Sequence, residues 1–161
     1  MELTQKQLKE QFYYSPETGE FIRLKSVGKA RAGEKAGYLT DRGWLRVKIN
    51  GRHYKLHRLA FLYMEGEFPE GLVDHMNNVR TDNRWCNLRK ATRSQSSVNR
   101  VTGGNSLTGY RGVVPCGKGF KGKITSDGKA HTSKKFKSAE EAHKWYCRMA
   151  ERLHGEFCNF K

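Results

Sequence analysis

An acid stands directly before a histidine at Asp74-His75, and Met76 and Asn77 follow. A second polar run, Asp82-Asn83-Arg84-Trp85-Cys86, leads into Asn87-Leu88-Arg89. A carboxylate and an imidazole side by side can divide hydrolytic work, one holding a divalent metal and the other activating water. The dipeptide alone also fits an exposed turn with ordinary solvation. Its spacing to the amide-rich run that follows argues for a site.

The elements around the pair must position it. Residues 1–44 open with a short amphipathic start (Leu3, Leu8, Phe12), then a turn at Ser15-Pro16-Glu17-Thr18-Gly19 and a short strand at Phe21–Leu24. Ser26 to Gly37 reads as an exposed basic loop. From Trp44 the pattern becomes strict: Leu45, Val47 and Ile49 alternate with Arg46, Lys48 and Asn50, and Asn50-Gly51 signals a tight hairpin continued by Tyr54 and Leu56. A helix is predicted from His57 to Glu65, ending before Gly66 and Pro69. Val73 to Leu88 reads as two short strands joined by a long polar loop, and Thr92-Arg93-Ser94-Gln95 is a capping box opening a helix to about Arg100.

Taken together, His57-Arg58, Asp74-His75-x-Asn77, Asp82-Asn83-Arg84 and Asn87-Leu88-Arg89 resemble the core of the HNH endonucleases, especially the phage and intron-encoded homing type. The resemblance runs from His57 to Arg100. It implies a ββα-metal core over about residues 70–100, with Asp74 ligating one divalent ion, Mg²⁺ or Mn²⁺ in its place, and His75 as general base. It gives Asn87 the part of tying the loop between the strands and orienting His75. It also implies a second metal ligand on the following helix, four residues after the Thr, where this chain has Ser96. Asn99 lies on the same helical face, about 4.5 Å of rise further. Three readings stay open: Ser96 ligates directly or through water, Asn99 takes over, or the metal site is impaired. His57 can touch a phosphate, cap its helix or pack. Arg58 precedes the core as a candidate DNA contact, Arg80, Arg84 and Arg89 crowd the loop, and a planar guanidinium clamps phosphate with paired donors. The sequence does not sort those that do so from those that are solvated or paired.

Composition agrees with a polyanion partner. In 161 residues there are 31 Lys plus Arg against 16 Asp plus Glu, a formal charge of +15 spread along the chain. Hydrophobic residues make up 36% and mean hydropathy is -0.84, so the core is modest. No apolar run is long enough to span a bilayer, and no signal peptide is read at the start. Cys86, Cys116, Cys147 and Cys158 form no C-x-x-C pair, and reduced thiols in a cytoplasm are the expectation.

Thr102-Gly103-Gly104-Asn105-Ser106 is the clearest linker, placing modules at 1–100 and 109–161 with a connection at 101–108. Three further strands are predicted at Tyr110–Val114, Phe120–Thr125 and His131–Phe136, with an Asp127-Gly128 turn. Ser138-Ala139-Glu140-Glu141 opens a helix that Gly155 ends. TGYRGV, FKGKI, KKFKSAEEAHKWY and LHGEF resemble the ethylene-response-factor (apetala-type) DNA-binding domain, which implies a three-stranded sheet on one helix, laid in the DNA major groove. Arg111, Lys121, Lys123, Lys134 and Lys135 are read as strand residues facing away from Phe120, Ile124 and Phe136. Arg111 is the candidate guanine contact and the lysines are phosphate contacts. The plainer reading is a solubilising basic face.

The expected fold is therefore α+β: a β-hairpin region, the ββα-metal core, then a small sheet-plus-helix domain. The expected function is a metal-dependent, sequence-selective endonuclease on double-stranded DNA, a monomer or weak dimer that nicks. The alternative is a DNA-binding protein on a disabled nuclease scaffold. An RNA-directed protein is disfavoured, because aromatic stacking motifs of the RNA-recognition type are missing.

Overall fold

In the computed structural model, residues 2–99, 107–126 and 128–158 are described. The chain forms two compact units, Met1–Lys90 and Ala91–Lys161. The linker expected at 101–108 lies mostly outside the described residues, and the boundary between the units falls ahead of it, at Lys90.

The first unit starts with α1 (Gln5–Lys9), whose Thr4 and Gln7 form a reciprocal capping box. A tight antiparallel hairpin follows, β1 (Phe12–Ser15) with β2 (Glu20–Arg23). The sequence shows only the second of these strands. In β1, Phe12 and Tyr14 are buried while Tyr13 is exposed, an alternation too short to stand out from the helix before it. Next come β3 (Tyr38–Leu39), β4 (Leu45–Ile49) and β5 (Arg52–Lys55), a sheet in the order β3-β4-β5. Asn50 and Gly51 take φ of 48° and 79°, the left-handed pair that a two-residue hairpin turn requires. α2 (Leu56–Glu65) stops at Gly66, at φ 92°. β6 (Leu72–His75) and β7 (Leu88–Ala91) form a two-stranded sheet.

One apolar cluster joins these elements. It contains Leu8, Phe12, Tyr14 and Phe21 from the first hairpin region, Val47 and Ile49 from β4, Leu59 and Leu62 from α2, and Val73 and Leu88 from β6 and β7. Each fully buried Leu or Phe contributes about 1.5–3 kcal/mol. The end of β6 is thus anchored on a core that starts near the N-terminus.

In the second unit, α3 (Arg93–Asn99) opens with Thr92 and Gln95 bonding reciprocally, at 2.8 and 3.2 Å. β8 (Val113–Cys116), β9 (Gly119–Ser126) and β10 (Lys129–Thr132) form an antiparallel sheet with β9 central. α4 (Ala139–His154) is capped by the Ser138 side chain and packs on β9. Two strand boundaries differ from the sequence expectation. The first strand begins at Val113, because Gly112 adopts φ +70° under the Tyr146 ring, where a Cβ would lie 2.0 Å from a ring carbon. The third runs Lys129–Thr132, with Ser133 to Lys135 beyond it. Asp127 of the expected turn is outside the described residues; Gly128 has φ +78°.

Candidate active site

β6 delivers Asp74 and His75 to the interior, 7% and 3% exposed. Across from them the first turn of α2 carries His57, 4% exposed. The His57 and His75 rings meet edge to face with centroids 5.3 Å apart, and Trp44 lies 4.7 Å from the first and 5.5 Å from the second. Lys55 and Arg80 sit over the Trp44 ring at 4.9 and 5.1 Å.

The site is positively charged and poorly hydrated, which sets its proton chemistry. Burial first, then His75, Lys55 and Arg58, push the His57 pKa down to about 3. The shift favours the neutral ring, packed against Trp44 and His75. Burial also lowers the His75 pKa, opposed by its bond to Asn83 and by Asp74 and Asp82. A neutral imidazole is the form that a general base needs.

Asp74 Oδ2 accepts from Arg89 Nε at 3.1 Å and Nη2 at 3.0 Å. Arg89, a phosphate candidate by sequence, therefore faces inward as the aspartate's counter-ion. The Asn87 side chain bonds within the loop between the strands. Its Oδ1 accepts from Asn77 N at 3.0 Å, and its Nδ2 donates to Asn77 Oδ1 at 3.0 Å and Asp82 O at 2.8 Å. The amide that meets His75 is Asn83, 1% exposed, whose Oδ1 lies 3.0 Å from His75 Nε2.

Sequence reasoning missed Asn83, although a signal existed. Asp82 and Arg84 flank it and pair with each other, Arg84 Nε to Oδ1 at 2.8 Å and Nη2 to Oδ2 at 2.6 Å. Alternate residues of an extended segment point the same way, so that pair turns the intervening amide inward. The pairing also occupies Arg84, and with the Arg84 backbone N–H and Asn77 it holds the Asp82 pKa down to about 2. Arg80 Nη1 donates to Arg42 O at 2.7 Å, and Arg58 donates to Gly71 O at 2.9 Å and Pro69 O at 2.6 Å. Those two have carbonyl partners but no carboxylate partner among the described residues.

Ser96 and Asn99 lie on α3, grouped with the second unit. Among the described residues no three His, Cys, Asp or Glu side chains form a metal-binding cluster. A single carboxylate with oxygen donors still fits Mg²⁺, which commonly binds through one or two carboxylates plus water and substrate phosphate.

In the second unit, Arg111 lies before β8 rather than on a strand. Its Nη2 donates to Ser97 O at 3.1 Å, and its guanidinium also bonds the Tyr146 hydroxyl. Lys121 and Lys123 alternate on β9, with Lys123 exposed, opposite in parity to the buried Ile124. Lys134 and Lys135 are exposed beyond the end of β10.

Residues 54–98 match the family model described as HNH endonuclease, and the span includes Asp74, His75, Asn83 and Asn87. A protein of Acanthamoeba polyphaga mimivirus, "Uncharacterized HNH endonuclease L560", is 35% identical over 105 residues, which is 64% of this chain and 54% of that protein. The chain thus spans about half the length of this relative. A looser likeness, TM-score 0.46 at 20% identity over 97% of this chain and 91% of the other, is to a structure described as "DNA binding and cleavage by the HNH homing endonuclease I-HmuI". Among the described residues, no helix is long and apolar enough to cross a membrane.

Proposed function

We propose that this chain is a DNA-cleaving hydrolase of the HNH homing type, using a divalent ion to cut phosphodiester bonds and nicking one strand per monomer. The observation that carries it is the Asp74–His75 pair, buried side by side at the end of β6 within the matched HNH segment. His75, kept neutral by burial, takes the proton of the water that attacks phosphorus. Asp74 would hold the ion, whose charge when bound would stabilise the pentavalent transition state and the departing 3′ oxygen. Mg²⁺ suits these oxygen donors, and Mn²⁺ can replace it.

Double-stranded DNA is the partner. On the outer face of the β3–β5 sheet, Arg46 pairs in register with Tyr38 and Lys55, and Lys48 with His53, a cationic patch suited to phosphates. Lys121, Lys123, Lys134 and Lys135 extend the grip in the second unit, whose sequence resembles an ethylene-response-factor domain. One centre cuts one strand, so a double-strand break needs a dimer or two events. A host-cell cytoplasm is the expected setting.

The test is conversion of supercoiled plasmid to open circle with Mg²⁺, Mn²⁺ or chelator, beside His75→Ala. Metal-dependent nicking lost in the variant supports the reading. A second reading, a DNA-binding protein with disabled chemistry, draws on the Arg89 guanidinium bound to Asp74 and on the weak ligand Ser96. Retarded plasmid without nicking would favour it.

A further inference from the structure

The hydrogen bond between His75 and Asn83 is backed by a clamp that originates far from the HNH segment. The Tyr14 hydroxyl, on β1, donates to Asn83 O at 2.7 Å. Trp85 N donates to Pro16 O at 2.9 Å, in the β1–β2 turn. Gly19 in that turn, at φ +75°, approaches so closely that a Cβ there would lie 2.4 Å from both Arg84 N and Asn83 C. From the other side, Asn87 Nδ2 holds Asp82 O at 2.8 Å. The backbone of residues 82–85 is thus gripped on both sides of Asn83.

We propose that Asn83 is a positioning residue that fixes the tautomer of His75, with the β1–β2 hairpin as its buttress. An amide oxygen only accepts, so with Asn83 Oδ1 facing it the His75 Nε2 carries the hydrogen. The ring lone pair then lies on Nδ1, the nitrogen of this tautomer that can accept a proton. Among the described residues, the buried Nδ2 of Asn83 has no hydrogen-bond partner. An unmade bond of that kind costs about 1–3 kcal/mol. A leucine here would lift that cost but strip the His75 Nε2 hydrogen of its acceptor, so the amide oxygen serves the imidazole.

The role of Nδ1 rests on the endonuclease reading, so the first readout is independent of cleavage. Ring ¹⁵N chemical shifts of His75 at pH 8 distinguish the two neutral tautomers. The wild-type protein should show Nε2–H, and Asn83→Leu and Asn83→Ala should show a mixture. Wild-type protein with Nδ1–H, or variants with an unchanged pattern, would overturn the proposal. In plasmid nicking, both variants should lose about 10- to 100-fold in kcat with KM held within about twofold, and Asn83→Asp, which keeps the acceptor, should recover most of the rate. Unfolding by circular dichroism separates this from a folding defect, because a folded variant with an altered ¹⁵N pattern and reduced kcat has lost the orientation of the ring and not the fold. Wild-type cleavage matched by Asn83→Leu would sink the proposal and leave the endonuclease standing. Should the wild-type protein not cut, the endonuclease reading fails, and the ¹⁵N pattern still decides for or against Asn83.

Discussion

His57 and His75 share one aromatic pocket under Trp44, and burial lowers the pKa of both. His57 has its pKa depressed to about 3 against 6.5 unfolded, so folding favours the neutral ring. That contribution is complete above pH 6.5 and is lost as pH falls toward the folded value. The urea midpoint should therefore decline on acidification from pH 6.5, and His57→Phe should flatten this limb. An identical decline in the variant would assign the acid sensitivity elsewhere. For His75 the direction is the same, so nicking should keep its base deprotonated below the ordinary histidine range, and the acid limb of kcat should lie under pH 6.5. His75→Ala should lower kcat by about 10²–10⁴ while gel retardation of plasmid is unchanged. Equal loss of binding would show that His75 holds structure rather than moving a proton.

At the scale of elements, the β1–β2 hairpin and the β4–β5 hairpin turn on glycines with different obligations. Gly19 and Gly51 both need positive φ, but only Gly19 is pressed against another segment. Replacing Gly51 with Ala should cost about 1–2 kcal/mol, the left-handed penalty alone. Gly19→Ala should cost more and should also displace Asn83. Thermal unfolding of the two variants, ranked in the opposite order, would refute the clamp. The same contrast explains what could be read from sequence. Asn50-Gly51, the α2 helix with its Gly66 stop and the Ser138 cap are local signals, and each matches the structure. Asp74 and His75 could be singled out as candidates because their spacing to Asn87 is local too, and the structure buries both on β6. β1 and Asn83 were not, because their meaning arises from contact between residues 14 and 83 across the core. Strand ends in the second unit shifted for a similar reason: Gly112 yields its strand geometry to Tyr146, which lies on a later helix.

Over the whole molecule, the +15 charge predicts duplex affinity that falls steeply with salt. Not every cation should contribute. Lys123→Ala should reduce the slope of log affinity against log salt by about 1, since each phosphate contact releases roughly one counterion. Arg84→Ala should leave it unchanged, because that guanidinium already binds Asp82 with two hydrogen bonds. Equal slopes for the two variants would erase the distinction. Tyr14 and Asn83 stand 69 positions apart, so their bond cannot form until a long stretch of chain has condensed. Local hairpins and helices close sooner than such remote contacts. The clamp on Asn83 is consequently late: under the proposed function, a partly folded chain would hold DNA through its basic surface before its histidine is set to cut.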